Sequence, residues 1–311
     1  KLKAVYHMRL FDGVPAVQTW TEITNEGSED QGLTYVSSFI YQGISRGGNK
    51  PYYKKTDIYV PFNSWCCEAQ WQKYDAETLN LNGMVVDGFN HQGYGLNRYC
   101  YSGKGTWSTC EYLPMGIAED RETGETYIFQ VESSGQWLIE YGSAQGGNLY
   151  LTISGATEQE HGWYKNLKPG ECFITGPAVV KGGLNPAVAA LTRYRRKVRR
   201  ANPDDEKLNV VFNDYMNCLM GDPTTERELS IIDKAAELGC EYYCLDAGWY
   251  DDGFWWDRVG EWKEASGRFP GGLKEVCDYA HSKGLKMGLW LEIEVMGVAC
   301  ELANKLPDDW F

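Results

Sequence analysis

The sequence predicts a multidomain chain, in which an antiparallel β-sandwich is followed by an α/β unit with a parallel sheet. Residues 1–183 contain many short segments of alternating apolar and polar residues between glycine-rich turns, which is typical of antiparallel sheets packed face to face. From residue 207 onward, apolar segments and helical patterns follow in the order β-α-β-α-β-α, which favours a parallel sheet. A length of 311 residues suits two domains.

The β character of residues 1–183 is clearest in the segments "YIFQV", "WLIEY" and "LYLTI". Side chains two residues apart along a strand lie on the same face of the sheet. Each segment therefore places three apolar side chains on one face, and we expect these faces to form the core. The side chains are Tyr127, Phe129 and Val131, then Trp137, Ile139 and Tyr141, then Leu149, Leu151 and Ile153.

Residues 184–206 are predicted to form a helical linker between the two parts. Pro186 suits the first turn of a helix, and Ala, Leu and Arg follow it in "LNPAVAALTRYRRKVRR". Six of the eight residues from 193 to 200 are basic. A nucleic-acid patch is one interpretation of this charge, but the net charge of −13 favours a solvated linker helix.

The segments of residues 207–311 are predicted in turn. "LNVVFND" is a continuous apolar run that suits a strand buried on both faces. "DPTTERELSIIDKAAELG" predicts a helix, in which Thr225 and Glu228 have capping-box spacing and Gly239 marks the end. "EYYCLDAGW" and "LKMGLWLEIEV" predict the second and third strands, and "GGLKEVCDYAHSKG" and "VACELANKL" predict the second and third helices.

Composition and motifs narrow the function. The net charge of −13 argues against general nucleic-acid binding, and no apolar run reaches the length of a membrane span. Ten cysteines without a CxxC pair argue against a zinc or thioredoxin-type site, so we expect no metal and no cofactor. Free thiols favour a reducing, cytoplasmic location, although a first residue of Lys1 leaves a processed, secreted protein open.

Carboxylates follow all three predicted strands of the parallel sheet. Ligands of such sheets bind at the carboxyl ends of the strands, where the sequence places Asp214 and Tyr215, then Asp246 and Trp249, then Glu292 and Glu294. Carboxylates beside indoles suit the binding of sugars, whose hydroxyls and rings they contact. Alternatively, the aspartates cap turns, the glutamates form a structural ion pair, and the loop tryptophans Trp255 and Trp256 fill the core.

Six segments after residue 207 closely resemble family 36 glycoside hydrolases, the α-galactosidases (melibiases) and their relatives. They are "FNDYMNCLMGDPTTEREL", "GCEYYCLDAGWY", "VGEW", "RFPGGLKEV", "GLKMGLWLEIEVMG" and "LPDDWF". The resemblance is dense over residues 208–311, and "GTWSTCEYLPMGI" fits it upstream. It implies an N-terminal β-supersandwich over residues 1–183, a helical connector, and a catalytic (β/α)8 TIM barrel. Residues 207–311 would form the first three βα units of that barrel.

The resemblance implies a retaining exo-acting enzyme that releases terminal α-linked galactose. In the family, one Asp of a "KxDxN"-like motif on a later strand is the nucleophile, and a second Asp is the acid/base. The sequence contains no such motif, so we expect no catalytic residue in this chain and both groups C-terminal to Phe311. The family also implies a homo-oligomer, often a tetramer, with "NSWCCEAQW" (63–71) as a candidate contact loop.

The binding residues that the resemblance implies lie in the same region. Asp246 matches an Asp that holds galactose hydroxyls, Trp262 of "VGEW" matches an indole of the same subsite, and Tyr215 stands where many members have Trp. Trp249 and Asp214 are expected as neighbouring substrate contacts, and Glu292 and Glu294 as residues behind them.

Ala247 departs from the family pattern, because many α-galactosidases have a second Asp there. Losing a charged hydrogen bond costs about 1.5–3 kcal/mol unless another group replaces it. Either another group holds the hydroxyl or the preferred sugar differs. The second case would suit an α-N-acetylgalactosaminidase of the same family. A non-catalytic galactose-binding relative and a galactosyl transferase of the raffinose-synthase type are the further alternatives.

Overall fold

The structure is a computed structural model that describes residues 1–81, 97–144, 148–181 and 187–307. The chain divides into two compact units, Lys1–Arg199 and the residues from Arg200 onward. The predicted helix start at Pro186 lies outside the described residues. Among the residues described, no helix has both the length and the apolar character needed to cross a membrane.

The described part of the first unit is built mainly from strands. In chain order they are β1 Leu2–Phe11, β2 Val14–Asn25, β3 Gln31–Leu33, β4 Ser37–Ile44, β5 Thr56–Phe62, β6 Gln70–Asp75, β7 Arg98–Gly103, β8 Met115–Asp120, β9 Thr126–Val131, β10 Trp137–Ala144, β11 Asn148–Gly155, β12 Lys165–Leu167, β13 Cys172–Ile174 and β14 Ala178–Lys181. The helices are α1 Glu158–His161 and α2 Ala187–Val198, with a 3-10 turn at Tyr52–Lys54.

All strand pairs of this unit are antiparallel, as predicted. The larger sheet runs β1-β2-β14-β9-β8-β5-β6, with β13 also on β2, and the second runs β4-β11-β10-β7. Strands β12 and β3 form a separate pair. The three apolar faces predicted from the alternating segments are all buried in one core, which confirms the prediction.

Helix α2 corrects the prediction of a solvated linker over residues 184–206. Its residues Leu191 and Tyr194 are buried against Ile128 and Val179 of the larger sheet. The Tyr194 hydroxyl also donates to Glu132 at 2.7 Å. The basic residues mask this apolar stripe in the sequence, because they occupy most of the remaining helix surface, and Arg195 itself donates to Gln130 of β9 at 2.8 Å. The helix therefore covers the outer face of β9, which explains why that strand is buried on both sides.

The second unit contains a three-stranded parallel sheet in the order β15-β16-β17. Its elements are α3 Pro203–Lys207, β15 Val211–Asn213, an irregular turn Tyr215–Leu219, α4 Thr225–Glu237, β16 Tyr242–Leu245, a 3-10 turn Trp255–Arg258, α5 Leu273–Ser282, β17 Lys286–Leu289 and a 3-10 turn Leu302–Asn304. Apolar side chains of α4, α5 and β16 form its core, including Ile232, Tyr243 and Val276.

Two predicted elements of this unit are wrong in detail. The first strand is short and its residues Val210 and Val211 are exposed, because β15 pairs only with β16 in the described sheet. The predicted third helix is a 3-10 turn of three residues, Leu302–Asn304.

The start of α4 also differs from the predicted capping box. Thr224 is the N-cap, and its side chain accepts a hydrogen bond from the amide of Arg227. The Glu228 side chain does not accept a hydrogen bond from the amide of Thr225, because it is buried and accepts one from the Tyr243 hydroxyl instead. Gly239 follows the helix with a φ of 80°, which agrees with its predicted role as a stop.

Candidate functional site

The candidate site is a rim formed by the segments that follow the three parallel strands. We define the rim as residues 213–215, 246–250 and 290–294. The register pairs Asn213 with Cys244 and Leu245 with Leu289, so the carboxyl ends of the strands meet at one edge. The structure therefore brings the three carboxylate-bearing segments together, as the sequence predicts.

Asp246 is the best-anchored carboxylate of the rim. One carboxylate oxygen accepts a hydrogen bond from the Asn213 amide at 2.6 Å, and the other accepts from the Ala247 N–H at 2.7 Å. Its own N–H donates to Asp214 Oδ1 at 2.7 Å. The side chain remains partly exposed, and each of its oxygens has lone pairs left for a ligand hydroxyl.

Asp214 does not have the substrate-contacting position that the sequence suggests. It is only 2% exposed, and its carboxylate holds the backbone of Asp246 from behind. Burial raises the pKa of Asp214 above its ordinary value, and the Asp246 charge adds to this rise. Asp214 therefore acts on the rim through Asp246.

Aromatic rings form a continuous wall beside Asp246. The Tyr250 ring lies 4.8 Å from Trp262, and Trp262 lies 5.9 Å from Trp290. Trp255 joins the wall at 5.6 Å from Trp290 and 5.8 Å from Tyr215. The rings meet mostly edge to face, which is a favourable geometry for aromatic pairs.

Trp249 is part of the core rather than an exposed member of this wall. It is 4% exposed, its indole N–H donates to the Trp290 carbonyl at 3.1 Å, and its ring stacks 6.0 Å from Trp262. At 4% exposure Trp249 offers almost no surface to a substrate, so the structure does not support the predicted direct contact. Of the two loop tryptophans, Trp256 is exposed and Trp255 is partly buried.

Two backbone positions of the site require unusual geometry. Trp262 has a φ of 49°, which is rare for a bulky residue and is maintained only where the surroundings fix it. Gly248 has a φ of 103°, and a Cβ there would lie 2.3 Å from the Gly221 carbonyl oxygen. The loop after β16 therefore passes directly against the loop after β15, and only glycine allows this approach.

The Tyr250 hydroxyl is a site group that the sequence did not reveal. It is buried and has no hydrogen-bond partner among the described residues. Burial raises its pKa most, followed by the charges of Glu292, Asp246 and Asp251. The hydroxyl is thus neutral, close to the rim carboxylates, and has a hydrogen to donate.

Glu292 and Glu294 lie just beyond the end of β17. Glu292 is partly buried, and this burial raises its pKa, with a smaller contribution from Glu294. Glu294 is exposed. The position of Glu292 near Tyr250 agrees with a supporting place at the rim.

Arg268 connects the two loops that surround Asp246. Its guanidinium is about 10% exposed and donates to Asp222 at 2.6 Å and the Pro223 carbonyl at 3.2 Å in the first loop. In the second loop it donates to the carbonyls of Asp251 and, at 3.0 Å, Gly253. One side chain therefore satisfies acceptors in both loops.

A cavity of about 520 Å³ is lined by residues between 250 and 266 and by residues 299–301. Acidic residues dominate its lining, with Tyr250 shared with the wall, whereas Asp246, Tyr215 and Trp262 do not line it. Within the described parts of the chain, no group of three or more His, Cys, Asp or Glu is arranged to hold a metal ion.

Three contributors to the site were missed or misassigned at the sequence level. Asn213 was recognisable as a strand-end residue, since parallel pairing sets it beside residues 244–246. Tyr250 had only its place after "DAGW" as a signal. The role of Glu228 was misassigned, because its spacing from Thr225 also fits a capping box.

The chain is similar in sequence to proteins of a known family. Residues 179–311 match the Melibiase family model. The chain is 31% identical over 250 residues to α-galactosidase Mel36A of Lactobacillus acidophilus, covering 75% of this chain and 33% of that protein. It is 31% identical over 198 residues to α-galactosidase AgaA of Geobacillus stearothermophilus, covering 61% and 26%. The chain thus spans about a third or less of these relatives.

Solved structures show the same fold. The crystal structure of the GH36 α-galactosidase AgaA from Geobacillus stearothermophilus has a TM-score of 0.81 and 22% identity, and the match covers 99% of this chain and 40% of that one. The galactosidase domain of AgaSK gives a TM-score of 0.77 over 99% of this chain and 40% of that one, at 16% identity. The structures thus share the fold, and the sequence matches show that the chain belongs to the melibiase family, glycoside hydrolase family 36.

Proposed function

We propose that the protein is a retaining exo-glycoside hydrolase that releases terminal α-linked galactose from oligosaccharides or glycoconjugates. The observation that carries the proposal is the fixed, partly exposed carboxylate of Asp246 beside a wall of aromatic rings. Sugar binding uses this combination, because hydroxyls donate to carboxylates while the apolar face of a sugar ring packs on indoles. Relatives of similar sequence are named α-galactosidases, and a variant of AgaA has been crystallised with raffinose.

In this proposal Asp246 holds galactose hydroxyls, and Trp262 and Tyr215 contact the ring. The Tyr250 hydroxyl is buried in the structure but unpartnered and near Asp246, and a turn of its partly exposed side chain on sugar binding would let it take over the contact that a second Asp makes in many family members. This accounts for Ala247, which is itself buried.

The parallel strands β15, β16 and β17 would be the first three strands of a (β/α)8 barrel. Active sites of such barrels lie at the carboxyl ends of the strands, where the rim lies. The nucleophile and the acid/base would lie C-terminal to Phe311, as the family resemblance implies. The residues of this chain would then bind and orient the sugar, while the later carboxylates carry out the two displacements of a retaining mechanism.

We further propose a cytoplasmic homo-oligomer. The ten cysteines are free thiols in the structure, which suits a reducing compartment. Within the candidate contact segment 63–71, Trp65 is 86% exposed. A tryptophan exposed to this extent suits a contact with a second copy better than a place in the sandwich core.

Hydrolysis of chromogenic substrates tests the proposed activity. The full-length protein should release nitrophenol from nitrophenyl α-galactoside faster than from nitrophenyl α-N-acetylgalactosaminide, and free galactose should inhibit competitively. Faster hydrolysis of the second substrate would replace galactose by N-acetylgalactosamine as the preferred sugar. Galactose binding without hydrolysis of either substrate would contradict the hydrolase proposal. Formation of a longer oligosaccharide in excess acceptor would instead identify a transferase.

A further inference from the structure

Two buried carboxyl groups lie behind Asp246, and within the described parts of the chain no lysine, arginine or histidine pairs with either of them. Asp214 is 2% exposed and Glu228 is fully buried. The two carboxyl groups are within hydrogen-bonding reach of each other. Two adjacent carboxylates cannot both be ionised in a buried site without a large penalty, so such pairs retain a proton.

The remaining hydrogen bonds define where this proton lies. Glu228 Oε2 accepts from the Tyr243 hydroxyl at 2.5 Å, and Asp214 Oδ1 accepts from the Asp246 N–H at 2.7 Å. The other two oxygens, Glu228 Oε1 and Asp214 Oδ2, are buried and have no partner. A proton on Glu228 Oε1 that is donated to Asp214 Oδ2 satisfies both oxygens at once.

We propose that Asp214 and Glu228 share one proton and act as a positioning pair that holds Asp246 at the rim. The hydrogen bonds then converge on Asp214: Tyr243 donates to Glu228, Glu228 donates to Asp214 Oδ2, and the Asp246 N–H donates to Asp214 Oδ1. The shared proton keeps Asp214 in place as an acceptor. The consequence for galactose rests on the proposed function, whereas the shared proton does not.

The titration behaviour of the pair agrees with this arrangement. Burial, followed by the charge of Asp214, raises the pKa of Glu228 to about 9, and burial raises that of Asp214 to about 6. The other titratable groups that act on the pair are Tyr243 and Cys244 on β16, Asp246 beyond that strand, and Cys218 in the turn after β15. Each of these groups is neutral or negative, so none of them would stabilise a second negative charge on the Asp214–Glu228 pair.

The expected pH dependence follows from these pKa directions. Between the ordinary Glu value of 4.5 and about 9, Glu228 keeps its proton in the folded protein and loses it on unfolding. Unfolding therefore releases a proton, and the free energy of unfolding falls as the pH rises through this range. Above a pH of about 9 the folded pair loses its proton. The two carboxylates then repel each other, and the hydrogen bond from the Asp246 N–H to Asp214 is weakened.

The test compares the full-length wild type with Glu228→Gln and with Asp233→Asn. A glutamine keeps both hydrogen bonds without a titratable proton, since its amide donates to Asp214 and its oxygen accepts from Tyr243. Asp233 lies on the same helix but is partly exposed and paired with Lys283 and Tyr279, so its amide variant controls for the substitution itself. Glu228→Leu removes the donor and should weaken galactose binding about tenfold at neutral pH.

Three measurements decide the outcome. At neutral pH, the wild type should show the infrared C=O band of a protonated carboxyl group, which Glu228→Gln lacks and Asp233→Asn keeps. The wild type and Asp233→Asn should lose unfolding temperature as the pH rises from about 4.5 to about 9 and should lose galactose affinity as the pH passes about 9, whereas Glu228→Gln should show a flatter response in both. Glu228→Gln should restore the affinity that Glu228→Leu loses.

A protonated-carboxyl band that is unchanged in Glu228→Gln would overturn the shared proton. A pH response of Glu228→Gln that equals that of the wild type would overturn the positioning role. If the infrared band and the unfolding data behave as expected but the wild type does not bind galactose, the shared proton is supported and the proposed function fails.

Discussion

Asp246→Ala is expected to weaken galactose binding by about tenfold or more. The substitution removes the carboxylate that we propose accepts hydrogen bonds from sugar hydroxyls, and a charged hydrogen bond contributes about 1.5–3 kcal/mol. It also leaves the Asn213 amide and the Ala247 N–H without their partner. Isothermal titration of the full-length variant with galactose measures the change directly.

Asp252→Ala is the matched control for this variant. Asp252 belongs to the same loop, is exposed, and has the same charge, so its loss changes the net charge equally without removing the proposed contact. Its galactose affinity should stay within about twofold of the wild type. An unchanged affinity in a folded Asp246→Ala protein would contradict the assignment of Asp246 to the sugar.

Arg268→Ala is expected to destabilise the second unit by about 2 kcal/mol, because it removes a largely buried side chain from four acceptors in two loops. The Asp222 carboxylate and the carbonyls of Pro223, Asp251 and Gly253 would all lose this donor. Since these loops surround Asp246, galactose affinity should fall together with stability. Thermal and urea unfolding, followed by tryptophan fluorescence, measure the effect.

Arg258→Ala supplies the comparison for Arg268→Ala. Arg258 also faces Asp251, at 3.4 Å, but its side chain is mostly exposed, and exposed ion pairs contribute about 0–1 kcal/mol. The account expects a clear difference between the two variants. Equal destabilisation by both would show that Arg268 does not act as the connection between the loops.

The strand pattern of the first unit was predictable because period-two alternation reports burial directly. The faces of Phe129, Ile139 and Leu151 follow from the sequence alone. Helix α2 was assigned correctly as a helix and incorrectly as solvated. Its apolar stripe of Ala187, Leu191 and Tyr194 is narrow, and the surrounding arginines dominate the composition.

The position of the rim could be predicted from the sequence, but only some of its side-chain contacts could. Parallel topology requires that the strand ends meet, so the sequence predicts that Asp246 and Tyr215 follow adjacent strand ends, as they do in the structure. The depth of a side chain does not follow from that rule, which is why Asp214 and Trp249 were expected at the surface. The pairing of Glu228 with Tyr243 and Asp214 depends on how α4 packs on β16, and local spacing cannot encode it.

The structure of the full-length protein with bound galactose tests the central claim most directly. The account predicts that both Asp246 oxygens lie within hydrogen-bonding distance of galactose hydroxyls, with Trp262 against the sugar ring and the Tyr250 hydroxyl bonded to the sugar. Galactose bound in the cavity lined by residues between 250 and 266 and by residues 299–301 would contradict this account, and so would galactose bound without any contact to Asp246.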